Sequence, residues 1–177
     1  MLSNKKKEIF VIIDGSSYLY RAFYALPHLK NNSGSHTGAI FGVTNMINKL
    51  INDLSPKYIC AVFDARGKNF RHRLYKDYKS NRKSMPEELS EQVSPIFDFL
   101  KFMGIQIIQQ PDVEADDVIA SLVNNHSSKI KILISSGDKD LAQLVNKNVQ
   151  LINSLDGKQL NEGDVKKKFG VAPNQIK

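Results

Sequence analysis

The segment Ile9-Phe-Val-Ile-Ile-Asp14-Gly-Ser-Ser17 joins a run of apolar residues directly to an acid, a glycine and two serines. An apolar run without alternation suits a strand buried on both faces, as in parallel sheets covered by helices. The serines suit a helix start, with Ser16 or Ser17 as cap, and Leu19, Ala22, Phe23 and Leu26 then share one face until Pro27 ends the pattern. Similar runs recur at Tyr58 to Phe63, Ile105 to Gln109, Ile130 to Ile134 and Val149 to Ile152. Between the first two, Ile40, Val43, Ile47, Leu50, Ile51 and Leu54 fall at helical intervals before a turn at Ser55-Pro56. Short buried strands alternating with longer helical patterns predict an α/β fold, a mostly parallel central sheet flanked by helices. The chain has 177 residues and 41% hydrophobic content, which suits a single main domain.

The acids stand at the ends of these runs. Phe10 to Ile13 leads into Asp14, Ala61 to Phe63 into Asp64, and Ile132 to Ile134 passes through Ser135-Ser-Gly into Asp138, with Asp140 close behind. The carboxyl ends of parallel strands form one edge of the sheet, and that edge is where such folds bind ligands. Glu114-Ala-Asp-Asp117 follows a further strand at the start of a helix whose Ala115, Val118, Ile119 and Leu122 face the core. Acids in a first helical turn are common because they offset the helix dipole. Here, however, Glu114 and Asp117 form a like-charge pair at i,i+3, and no Lys or Arg stands three or four residues beyond them. Two carboxylates about 4 Å apart repel by about 4 kcal/mol at an effective dielectric near 20, so converging acids call for bound cations. Oxygen ligands alone favour Mg2+, with Mn2+ as alternative. The histidines His28, His36, His72 and His126 show no zinc spacing, and a lone Cys60 excludes a disulfide framework or Cys-type zinc site.

The basic residues are concentrated as well. Arg66, Lys68, Arg71, Arg73, Lys76, Lys79, Arg82 and Lys83 surround a single acid, Asp77, so this stretch carries the whole net charge of +7. A helix from Asn69 to Arg82 would align Arg71, Tyr75, Lys79 and Arg82 on one face with Tyr78 beside it, alternating cations for phosphates with rings for bases. A solvated lysine-rich face is the bland reading of the same run. Its start two residues after Asp64 places cations beside the acidic edge. The apolar run after Lys5, Lys6 and Lys7 is too short for a signal peptide or membrane span, so a cytoplasmic, nucleoid-associated monomer is expected. Neither a P-loop nor a Gly-x-Gly-x-x-Gly segment occurs. Asp14 is followed by Gly-Ser rather than a second acid, which speaks against an aspartyl phosphatase.

Five blocks of sequence carry a family resemblance. They are Val11-Ile-Ile-Asp-Gly-Ser-Ser-Tyr-Leu-Tyr-Arg-Ala-Phe23, Val62-Phe-Asp64, Phe70-Arg71 with Tyr78-Lys-Ser-Asn-Arg82, Val113-Glu-Ala-Asp-Asp-Val118, and Gly137-Asp-Lys-Asp-Leu141. In these the chain resembles the 5′ to 3′ exonuclease domain of bacterial DNA polymerase I, within the flap endonuclease and PIN-like nucleases. The resemblance implies that Asp14, Asp64, Glu114, Asp116, Asp117, Asp138 and Asp140 bind metal. It also implies that Lys79 and Arg82 steer the phosphate from a helical arch or clamp at about residues 65–90, with Arg71 and Arg21 assisting. The implied layout is a nuclease core over 1–160, and over 161–177 the beginning of a C-terminal helical DNA-binding region that in the family supplies a further acid pair.

The expected activity is two-metal hydrolysis of phosphodiesters at 5′ ends or flaps of DNA, RNA–DNA primers included, in replication and repair. A PIN-type ribonuclease and a non-catalytic nucleic-acid binding module are the competing readings, and metal-dependent cleavage separates them.

Overall fold

Strand β1 (Lys7–Asp14) lies at the centre of the molecule, and Val11, Ile12 and Ile13 are fully buried. The computed structural model describes residues 7–26, 29–81, 83–154 and 156–176. Around β1, the strands β2 (Pro56–Val62), β3 (Gln106–Ile108), β4 (Lys131–Ser136), β5 (Val149–Asn153) and β6 (Gln159–Leu160) form one sheet in the order β3-β2-β1-β4-β5-β6. All neighbours are parallel except β5 and β6. The expected mostly parallel sheet is thus present, and its antiparallel edge strand goes beyond the sequence expectation.

The continuous apolar runs are explained by two hydrophobic clusters, one on each face. Val11 and Ile13 join the cluster built with helices α1 (Gly15–Ala25), α2 (Gly38–Leu54) and α4 (Glu87–Phe102). Ile12 points the other way, to Val62, Ile132 and Ile134 and to Ile119 and Val123 of helix α5 (Ala115–His126). Side chains alternate across a strand, so only a sheet covered on both faces buries three successive residues. No helix among the described residues is long and apolar enough to cross a membrane.

Helix α4 carries Pro95 inside it, although proline normally breaks a helix. Burial of Leu89, Ile96 and Leu100 outweighs that cost. Its Gln92, only 2% exposed, accepts hydrogen bonds at Oε1 from the Ala39 and Ile40 N–H groups (2.8 and 3.2 Å), satisfying donors at the start of α2 that would otherwise be buried unpaired. A short helix α3 (Phe70–Leu74) and a terminal helix α6 (Glu162–Phe169) complete the set.

The order of the sheet positions the site. Chain connections leave β1 toward β2 on one side and return at β4 on the other, so the crevice outside the carboxyl ends of these strands is a topological switch point. Register brings Asp14 level with Val62 and Ile13 level with Ser135, which sets the residues following β2 and β4 beside the end of β1.

Candidate active site

Asp14 does two jobs at the end of β1. It caps α1, accepting from the Ser17 N–H at Oδ1 (2.9 Å), so the cap is the acid itself rather than Ser16 or Ser17. The helix starts at once after the strand, and the serines already lie in its first turn. The other oxygen of Asp14 accepts from Ser136 Oγ at 2.6 Å, and Ser136 in turn accepts from the Asp138 N–H at 2.9 Å. Asp138 accepts from the Asp140 N–H at 2.8 Å. Across the crevice, Asp64 accepts from the Ala115 N–H at 2.9 Å, at the positive end of α5, and its own N–H donates to Ser16 Oγ at 3.1 Å. Sequence reasoning missed Ser136, although two serines closing an apolar strand, both buried, are a signal of a polar job at that end.

Asp14, Asp64, Glu114, Asp116 and Asp138 line one cleft of about 690 Å³, with Arg21, Lys79, Lys83 and Lys139 on its walls. Asp117 and Asp140 do not line it. Asp140 opens a short 3-10 turn (Asp140–Leu144). Asp117 turns to Arg71, which donates to it through both terminal nitrogens at 2.6 and 2.7 Å. It also accepts from the Glu114 N–H at 3.0 Å.

The basic stretch departs from the expected continuous helix. Only Phe70–Leu74 is helical, capped by Asn69, and residues 76–81 form turns with Lys79 in the left-handed region (φ 53°). The physical reason is packing: α3 buries none of its residues, Leu74 is 80% and Tyr75 62% exposed, and so short a helix has nothing to sustain it. The single cationic face through Arg71, Tyr75 and Lys79 therefore does not form, and Arg82 lies outside the described residues. The stretch folds back onto the acids instead. Lys79 Nζ donates to Glu114 Oε1 at 2.7 Å, Tyr78 Oη to Glu114 Oε2 at 3.1 Å, and Asn69 Nδ2 to Glu114 Oε1 at 2.9 Å. The counter-charges absent from the Glu114–Asp117 helix surface thus come from the basic clamp. Arg21 stands on the far wall, donating to Ser154 Oγ at 2.5 Å and to Asn153 Oδ1 at 3.4 Å.

This pairing divides the acids. Burial would raise the Glu114 carboxyl, but Lys79, Tyr78 and Asn69 together hold it below the ordinary range. Asp117 is held low first by its bond to Arg71. Among the described residues no salt bridge reaches Asp14, Asp64, Asp116 or Asp138. Burial pushes Asp14 up, with Asp64 and Asp138 adding to it and the bonds from Ser136 and Ser17 opposing. Asp116 keeps solvent contact but sits in a concave floor; dehydration leads in pushing it up to about 6, and the charges of Asp14, Asp138 and Asp64 add to that.

Four carboxylates without a salt bridge among the described residues, all hard oxygen donors, fit a hard divalent cation. No three acids among the described residues already stand in ligand geometry, since most of these carboxylates rest on protein hydrogen bonds.

The electrostatics fix a sign. A raised carboxyl binds its proton more tightly in the folded state, so its contribution to stability falls as pH rises from the ordinary value through the folded one. The lowered Glu114, Asp117 and Asp112 act in the opposite sense, and their contribution is complete above the ordinary carboxylate range. Between pH 5 and 7 the raised Asp116 therefore dominates, and the metal-free protein is expected to melt at a lower temperature at pH 7 than at pH 5. Thermal melts across that window check this, and an unchanged or rising midpoint contradicts it.

Residues 9–170 match the protein family described as 5′-3′ exonuclease, N-terminal resolvase-like domain. The chain belongs to this family. Within the exonuclease family it is 44% identical to the 5′-3′ exonuclease of Buchnera aphidicola subsp. Baizongia pistaciae, over 99% of this chain and 59% of that protein. It is also 44% identical to DNA polymerase I of Pseudomonas aeruginosa, over 94% of this chain and 18% of that protein. The chain thus spans less than two thirds of these relatives. Among solved structures, the T5 D15 flap endonuclease in a complex with DNA and metal ions aligns with a TM-score of 0.66, at 20% identity, over 92% of this chain and 61% of that one. That likeness is one of fold, and it shows the exonuclease family's sheet and flanking helices here.

Proposed function

We propose that this exonuclease-family domain hydrolyses DNA phosphodiesters at 5′ ends and flaps with two bound Mg2+ ions, Mn2+ serving in their place. The observation that carries the reading is the set Asp14, Asp64, Asp116 and Asp138, gathered at the switch point of the sheet without a salt bridge among the described residues, with a basic clamp folded against the same edge. These four residues would hold the ions, and Glu114 joins them when Lys79 releases it. Bound there, divalent ions supply Lewis-acid stabilisation of the phosphate and a water of lowered pKa. The chain's own part is positioning and charge. Ser136 and the Ser17 N–H fix Asp14, and the start of α5 fixes Asp64. Lys79 stands at the cleft to offset charge on the scissile phosphate, Lys83 and Arg21 line the walls where the backbone would run, and Arg71 and Tyr78 belong to the clamp folded onto the acids. The T5 D15 flap endonuclease, which shares this fold, is described in a complex with DNA and metal ions, in keeping with a DNA substrate and divalent ions here.

The test is a 5′-labelled flapped duplex, a recessed 5′ end, an RNA–DNA primer and single-stranded RNA, each incubated with Mg2+ or with chelator. Mg2+-dependent cut products from the DNA substrates are expected. Cleavage confined to RNA would replace the proposal with a ribonuclease, and binding without any cleavage would leave a nucleic-acid binding module.

A further inference from the structure

Three cations of the clamp meet three acids of one short segment. Arg71 binds Asp117, Lys79 binds Glu114, and Arg73 binds Asp112 through both terminal nitrogens at 2.5 and 2.6 Å. Asp112 holds both ends of α3, because its backbone carbonyl also accepts from the Phe70 N–H at 3.0 Å. It does so from a left-handed backbone (φ 71°), and it lines the space between the clamp and α4 rather than the carboxylate cleft. A carboxylate gripped by both nitrogens of an arginine offers the same planar pair of acceptors as a phosphodiester.

We propose that Asp112 is a positioning residue that occupies Arg73 in the free protein as an internal stand-in for a phosphate, keeping the clamp on the acidic edge until nucleic acid takes the arginine over. The Arg73–Asp112 pair is well exposed on both sides. Exposed pairs are weak, so a phosphate can displace this carboxylate at little cost, whereas the half-buried Arg71–Asp117 pair is held more firmly. Asp112 therefore sets the affinity for the strand under the clamp without touching the reacting atoms. This rests on the reading of DNA as the substrate.

The experiment measures binding of a fluorescent 5′-flapped duplex without divalent metal, for the wild type, Asp112→Asn, Arg73→Gln and the double variant. Asparagine tolerates the left-handed backbone, so the fold is kept, and a thermal melt verifies it. Asp112→Asn is expected to tighten binding roughly two- to five-fold, the range set by an exposed ion pair. In Mg2+ it should lower KM and leave kcat unchanged. In the Arg73→Gln background the same substitution should change nothing, because the arginine it frees is gone. Unchanged or weaker binding by Asp112→Asn would make Asp112 a plain scaffold residue. Equal tightening in both backgrounds would reduce its effect to loss of a repelling charge. Failure of the wild type to bind would sink the DNA reading and this proposal with it, an outcome distinct from the other two.

Discussion

Asp116→Asn is expected to lower Mg2+-dependent cleavage of a 5′-flapped duplex by roughly 10²- to 10³-fold, the loss that follows when several kcal/mol of metal-borne charge stabilisation is removed. The same substitution should raise the melting temperature of the metal-free protein at pH 7. These opposite signs come from one cause. Dehydration leads in pushing the Asp116 carboxyl up to about 6, and the charges of Asp14, Asp138 and Asp64 that it faces add to the rise. Asparagine keeps the shape and removes the repulsion, so folding gains what cation binding loses. Wild-type protein should gain stability on addition of Mg2+ and the variant much less, because a ligand stabilises only the state that binds it. Single-turnover cleavage and thermal melts with and without Mg2+ make the comparison. Full activity in the variant, or a lowered melting point without metal, would remove Asp116 from the proposed centre.

Lys79→Met should lower kcat on the same substrate by about 10²-fold, comparable to the loss of one well-placed donor to a developing charge. Methionine preserves the length and removes the charge. Stability should fall only modestly, because Glu114, though largely buried and deprived of its cation, keeps its bonds from Tyr78 and Asn69. Glu114 loses its strongest counterion, and with it the influence that holds its carboxyl low. The activity of the variant should therefore require higher pH or more Mg2+ to reach its own maximum. Lys79→Arg retains the charge but not the compact ammonium and should fall between the two. A variant with unchanged kcat, or one whose loss tracks a large drop in melting temperature, would assign Lys79 a role in holding the loop alone.

The sheet was legible because burial on both faces writes itself into sequence as apolar runs. Ile9 to Ile13 and Ile130 to Ile134 lie almost wholly inside β1 and β4 as observed. Helix α2 was legible from its period, with Val43, Ile47, Leu50 and Leu54 buried as spaced. Helix α4 was not, since Pro95 sends a local signal that only its packing partners overrule. The clamp failed in the other direction: regular spacing of Arg71, Tyr75 and Lys79 suggested a helix, yet spacing of polar groups gives a helix no surface to bury.

By itself the sequence determined the α/β class, the strands that end in acids, and the separation of acidic edge from basic stripe. These follow from local order along the chain, namely apolar runs, the residues that close them, and charge counted over a window. Only the tertiary structure decided which acids share a cleft and which are already neutralised. Asp117 and Arg71 are 46 residues apart in sequence and Glu114 and Lys79 are 35 apart, so their pairing is invisible until the chain brings β2, the clamp and α5 to one edge. That pairing leaves Asp14, Asp64, Asp116 and Asp138 as acids of the cleft without a salt bridge among the described residues, because carboxylate repulsion depends on distance in space and on dehydration, neither of which a one-dimensional string contains.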